Sequence, residues 1–172
     1  VDSLNLKAAG VAFDRFGVKV NKRLRTSNRR VYAIGDVTNI PYKFTHVAEY
    51  HAGVALTNIA FHLPKKANTK IIPMVIFSDP ELAMVGLTAK QAQAQGIKCE
   101  QLEFSFKDVD RSVTQKATDG IIKLLVKNKK IIGATILGPA AGELIAEIAL
   151  AMQVNASIGD ISATIHAYPT FS

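Results

Sequence analysis

Between residues 17 and 37 the apolar positions come in short blocks separated by polar ones. Gly17-Val18-Lys19-Val20-Asn21 with Leu24 reads as a short strand and its turn, and Thr26-Ser27-Asn28-Arg29-Arg30 as a loop. Val31-Tyr32-Ala33-Ile34 is a continuous apolar run ending in Gly35-Asp36, the pattern of a buried central strand that runs into a turn. A helix is predicted from Thr45 to about His62. Ala48, Ala52, Ala55, Leu56, Ile59 and Ala60 recur on one face at helical spacing, and Pro64 stops it. The stretch Lys65-Lys66-Ala67-Asn68-Thr69-Lys70 is polar and extended and marks the domain boundary, giving regions 1–65 and 66–172.

Beyond that boundary the pattern changes to strands. Met74 to Phe77 is one, and Leu82 to Val85 is a second, after a turn at Asp79-Pro80. Thr88 caps a short helix through Gln95, which Gly96 ends. Lys98 to Phe106 is a strand, and Gly120 to Val126 with Lys130 to Leu137 forms a hairpin about Lys127-Asn128-Lys129. Gly142 to Gln153 is a helix with Leu144, Ile145, Ile148, Ala149 and Met152 on one face, and Ser157 caps a last helix to about Thr164. Helices on a mainly antiparallel sheet make the second region α+β.

Composition narrows the class. The 172 residues are 48% hydrophobic and 20% charged, values of a soluble globular protein, and no apolar run approaches the ~18–20 residues of a membrane span. The single cysteine, Cys99, excludes an internal disulfide framework and fits a reducing cytosol, so a cytoplasmic location is expected. The opening Val1-Asp2-Ser3-Leu4 has no initiator Met and no signal-peptide pattern, and is expected to be the interior of a longer chain. The net charge of +7 raises nucleic acid as a partner, but the basic stretch Lys22, Arg23, Arg25, Arg29 and Arg30 lacks aromatic interleaving and zinc-finger spacing. It reads as a solvated hairpin face. His46, His51 and His62 show no ligand spacing with carboxylates or Cys, and no metal site is expected.

The sharpest motif is Thr26-Ser27 followed by Val31-Tyr32-Ala33-Ile34-Gly35-Asp36. A buried strand delivers Asp36 to the carboxyl edge of a sheet, where α/β folds bind ligands, and an ionised Asp accepts hydrogen bonds from sugar-alcohol hydroxyls. The string resembles the second FAD-binding motif of the pyridine nucleotide-disulfide oxidoreductases, the family of dihydrolipoamide dehydrogenase, glutathione reductase and mercuric reductase. Phe44-Thr45-His46-Val47-Ala48 resembles that family's flavin-contacting helix start. Residues 73–86, Ile131 to Gly138 and Ala141 to Ile145 resemble, in the same order, the dimerisation domain. The resemblance implies a fold of two parts: the end of an α/β FAD-binding domain, then the α+β dimerisation domain. It implies that Asp36 holds the FAD ribityl chain with Gly35 beside it. Phe44 belongs to the same segment, and Thr45, His46 and Val47 approach the flavin pyrimidine through backbone N–H groups. A helix N-terminus carries about half a positive charge and there favours the anionic reduced flavin. Phe77 lies near flavin and nicotinamide by the same analogy, or is a core aromatic. Glu143 and Glu147, one helical turn apart, read as solvent or dimer contacts rather than an acid–base pair.

The tail His166-Ala167-Tyr168-Pro169-Thr170-Phe171-Ser172 departs from the family pattern. In disulfide-reducing members a His directly precedes Pro-Thr and acts as acid–base group across the dimer interface, oriented by a Glu a few residues on. Here Tyr168 stands before Pro169, His166 lies two residues earlier, and the Glu would be the residue after Ser172. A phenol with a pKa of about 10 donates hydrogen bonds but is a poor general base at neutral pH. The resemblance then implies the C-terminal part of a homodimeric FAD-dependent NAD(P)H oxidoreductase, mercuric reductase-like or with an uncharacterised substrate, with Tyr168 and His166 as catalytic candidates. Dihydrolipoamide dehydrogenase is the alternative, and a cofactor-free dimerisation module is the alternative of another class. No G-x-G-x-x-G loop and no redox Cys pair occur in these residues, so the isolated chain is expected to be inactive.

Overall fold

The computed structural model describes residues 2–172, and the chain divides into two compact units, one up to Thr69 and the other from Lys70 to Ser172.

The first unit is built round one helix. A two-residue hairpin, β1 (Phe13–Asp14) and β2 (Gly17–Val18), precedes it, followed by a 3₁₀ turn at Gly35–Val37 and then α1 (Thr45–Ala60). A small cluster of Val11, Val18 and Ala33 is buried, with Leu6, Val20, Val31 and Val37 against it. Two expectations fail here. Residues 31–34 form no strand within the unit: they make a single bridge, Arg25 to Tyr32, and Ala33 N–H reaches Leu24 C=O at 3.1 Å. A strand needs consecutive bridges to a neighbour, and this segment makes one isolated bridge. Second, α1 buries Val47, His51, Val54, Ala55 and Asn58, while Leu56 and Ile59, on the expected face, are 59% and 50% exposed. Polar bonds select the face: Asn58 Nδ2 donates to the carbonyls of Val54 (3.0 Å) and Lys65 (2.9 Å). The helix still stops before Pro64, its C-cap at Phe61.

The second unit is a five-stranded antiparallel sheet in the order β3-β4-β7-β6-β5, with β3 at Met74–Ile76, β4 at Glu81–Gly86, β5 at Glu100–Ser105, β6 at Ile121–Lys127 and β7 at Lys130–Gly138. The β6–β7 loop is tighter than expected, with Asn128 (φ 51°) and Lys129 (φ 62°) both left-handed. That is the geometry of a two-residue hairpin turn, matched to the twist of the strands. The α2 helix (Ala89–Ala94) starts in a capping box of Thr88 and Gln91, and α5 (Ile158–Ala163) in one of Ser157 and Asp160. A short helix, α3 (Asp110–Gln115), fills the stretch for which the apolar pattern predicts nothing.

The core lies between the sheet and α4 (Ala141–Gln153): Ala83, Val85, Ile131, Ala134, Ile136, Ile145 and Ile148 are buried together with Phe106, which is fully buried. The N-cap residue of α4, Ala140, offers no side-chain cap. Instead Glu81 on β4 accepts the Gly142 N–H at 2.8 Å. A carboxylate there satisfies an orphan donor and favours the positive helix end. No helix among the described residues is long and apolar enough to cross a membrane.

Candidate functional site: a clamped glycine–aspartate turn and a displayed tail

The turn at Gly35–Val37 presents Asp36, and its backbone is held on several sides. Gly35 N–H donates to His51 Nδ1 on α1 at 3.2 Å, and Gly35 C=O accepts from Thr38 N–H (3.1 Å) and Thr38 Oγ1 (2.8 Å). Lys43 Nζ donates to Asp36 C=O at 2.8 Å and also to the Thr38 carbonyl. On the other side Gly17 comes so close that a Cβ there would lie 2.5 Å from the Val37 carbonyl oxygen. Gly35 has φ +65°, and a Cβ on it would meet the Ala48 Cβ at 2.8 Å. Glycine is therefore required twice at this position, by dihedral and by space. With the backbone groups occupied, the exposed Asp36 carboxylate is left pointing outward to accept hydrogen bonds.

The predicted flavin-contacting residues lie just after this turn. Thr45 opens α1, and the rings of Phe44 and His46 stack, 5.2 Å apart and 11° from parallel. The Val47 amide donates to Phe44 C=O at 3.0 Å. Lys43 and His51 are the residues whose part in this turn the sequence pattern does not reveal. A signal for His51 exists in hindsight: Val47, His51, Val54 and Asn58 share a helical face.

In the second unit the tail is fixed on both sides of Tyr168. Before it, His166 Nε2 lies 2.7 Å from Glu147 Oε1 on α4, and Nδ1 lies 3.0 Å from the Thr164 carbonyl. Both partners are acceptors, so both ring nitrogens act as donors when the imidazole is charged, and the Glu147 carboxylate raises the His166 pKa. After it, the Phe171 ring packs on Phe106 at 6.3 Å. Tyr168 itself is 81% exposed. The neighbouring Asp110 carboxylate raises its pKa above the ordinary value of 10.0, which favours the protonated phenol. The sequence reading leaves out Asp110. Its only signal is an acidic residue opening a six-residue polar helix. It also treats Glu147 as a solvent or dimer contact, whereas the structure ties it to His166. Phe77 is 81% exposed and lies outside the core of the second unit. Among the described residues no three His, Cys, Asp or Glu side chains converge to hold a metal ion.

An antiparallel sheet domain with a packed helix follows a glycine–aspartate turn clamped to a helix start, and both parts match sequence profiles of one oxidoreductase family. The sequence profile of the pyridine nucleotide-disulphide oxidoreductase dimerisation domain matches residues 72–172, and that of the pyridine nucleotide-disulphide oxidoreductases matches residues 1–53. The chain belongs to this oxidoreductase family. It is 40% identical to the dihydrolipoyl dehydrogenase of Geobacillus stearothermophilus, over 98% of this chain and 36% of that protein. It is 35% identical to the mercuric reductase of Bacillus cereus, over 99% of this chain and 27% of that protein. The HOCl-induced flavoprotein disulfide reductase RclA from Escherichia coli superposes with a TM-score of 0.88 at 26% identity, over 99% of this chain and 40% of that one. The chain thus spans 36% of the length of the first of these curated relatives and 27% of the second.

Proposed function

We propose that the chain is the C-terminal part of a homodimeric FAD-dependent NAD(P)H oxidoreductase. Residues 1–65 end its FAD-binding domain and residues 66–172 form its dimerisation domain. The observation that carries this reading is the clamped turn: backbone groups tied inward, one carboxylate left outward, next to the start of a helix. These residues fit FAD. Asp36 would hold a ribityl hydroxyl, Gly35 would allow the close approach, and the segment Phe44 to Val47 would border the flavin pyrimidine. When bound, the flavin supplies hydride acceptance and onward electron transfer. The helix start supplies a fixed dipole that favours negative charge on the reduced ring.

The tail supports a substrate other than a dithiol that needs a general base. Asp110 holds the Tyr168 phenol protonated, and both nitrogens of His166 are occupied. Once it turns from Asp110 to substrate, this exposed, protonated phenol would serve as a hydrogen-bond donor, as suits a mercuric reductase-like or uncharacterised chemistry. The identity of 40% to a dihydrolipoyl dehydrogenase keeps dithiol oxidation as the second reading. The isolated chain is expected not to turn over on either reading, because its 172 residues hold a single cysteine and no G-x-G-x-x-G loop.

The test uses the full-length protein. Flavin absorbance near roughly 450 nm is expected after purification, and Asp36→Ala lowers flavin affinity. A purified protein without flavin and without affinity for added FAD would overturn the cofactor reading in favour of a dimerisation module alone. Tyr168→Phe slows substrate turnover while flavin reduction by NAD(P)H stays near normal. Unchanged turnover would reduce Tyr168 to a surface aromatic.

A further inference from the structure

His51 is fully buried and accepts a hydrogen bond from a backbone amide, an uncommon arrangement for an imidazole. Because Nδ1 is the acceptor for Gly35 N–H, the ring proton sits on Nε2, and Nε2 has no partner among the described residues. Burying an unsatisfied ring N–H is costly, so this residue is poorly explained as core filler. We infer that His51 is a positioning residue of the flavin site: its neutral imidazole holds Gly35, and through it the turn that presents the Asp36 carboxylate to a ribityl hydroxyl. The inference rests on the FAD reading of that turn given above.

The bond works in one protonation state. A proton on Nδ1 would set two donors against each other across 3.2 Å, and the second N–H would gain no acceptor either. The charged groups nearest this turn are Asp36, whose carboxylate is exposed, and Lys43, whose ammonium is bound to the Asp36 and Thr38 carbonyls. On α1 the ring neighbour is Tyr50, at 6.2 Å. Among the described residues no carboxylate bonds the ring, and burial lowers the His51 pKa. Acid therefore attacks the flavin site through one buried side chain. Protonation releases the Gly35 amide, the turn loses its tie to α1, and the carboxylate loses its fixed direction.

The experiment measures FAD dissociation constants for the full-length protein, with His51→Leu and His51→Asn. The Asn Oδ1 falls where the imidazole Nδ1 stands and accepts the same amide without titrating. At about pH 7.5, where a His is neutral, His51→Leu weakens FAD binding about tenfold or more. His51→Asn stays within about threefold of the parent and does not share the parent's loss of affinity on acidification. Parent-like binding by the Leu variant, or an Asn variant as weak as the Leu one, overturns the inference. Two readouts do not depend on flavin. Nitrogen NMR of the parent gives the Nε2–H tautomer for His51, and the Gly35 amide exchanges slowly; an Nδ1–H tautomer overturns the inference even if the Leu variant fails to fold. If Asp36→Ala keeps full FAD affinity while the tautomer and the amide protection hold, the ribityl reading fails and the clamp stands.

Discussion

His51 and His166 are the same side chain placed in opposite electrostatic settings. His51 sits inside the first unit against a donor, with burial pressing its pKa down. His166 lies on the second unit's tail between a carboxylate and a carbonyl, with its pKa raised and its side chain 28% exposed. One is useful as a neutral acceptor, the other as a charged double donor. The difference teaches that in this chain the partner atom, rather than residue type or sequence spacing, decides what a histidine does. It also explains why the tail lacks a free base although it contains a histidine.

The largest expected effect comes from removing the partner of His51 from its position. Gly35→Ala places a Cβ at φ +65° and 2.8 Å from the Ala48 Cβ, and is expected to cost about 2–4 kcal/mol of stability in the first unit. Denaturant unfolding of the full-length protein followed by flavin release checks it. An unchanged midpoint would mean that the turn is not held against α1.

Acidity separates the two histidines next. A lowered folded pKa means that folded His51 binds fewer protons than the unfolded chain. Its contribution is present above the unfolded value of about 6.5 and is lost as pH falls through the lowered folded value. His166 has the reverse sign: its contribution is complete below about pH 6.5 and disappears as pH climbs through the raised value. Hydrogen-exchange protection, corrected for the intrinsic base-catalysed rate, is therefore expected to fall at the Gly35 amide on acidification and around residues 164–168 on mild alkalinisation. Both sites responding in the same direction would break the comparison.

Smaller effects sharpen it. Glu147→Gln removes the charge beside His166 and returns its NMR titration midpoint toward the ordinary value of 6.5, leaving His51 unmoved. Asp110→Asn lowers the Tyr168 midpoint toward its ordinary 10.0, with little effect on folding because the phenol is exposed. Ultraviolet titration of the phenol follows the second change.

The sheet of the second unit was legible because its strands are apolar runs bounded by turn residues, and α2 and α5 because Thr88 and Ser157 announce their starts. The α3 helix was hidden: Asp110 to Gln115 has only Val113 as an apolar side chain, and that is 54% exposed. The buried face of α1 was misread because its alanines and leucine offer an apolar stripe on one side while the buried side contains His51 and Asn58. Hydrophobic periodicity finds a face that water avoids. It cannot find one selected by Asn58 bonding two carbonyls or His51 bonding an amide. In the site, the string ending at Gly35-Asp36 and the tail at Tyr168 stood out as residue types in order. The supports Lys43, His51, Asp110 and Glu147 did not, because each reaches its motif residue across a gap in the chain that no local pattern spans.

The opposite states of the two imidazoles are tested most directly by long-range proton–nitrogen NMR of the ring nitrogens, titrated through about pH 6.5. The expected result is a neutral His51 with its proton on Nε2 and a midpoint below that value, beside a His166 protonated on both nitrogens with a midpoint above it. A charged His51 at that pH, or two histidines titrating together, would contradict the account.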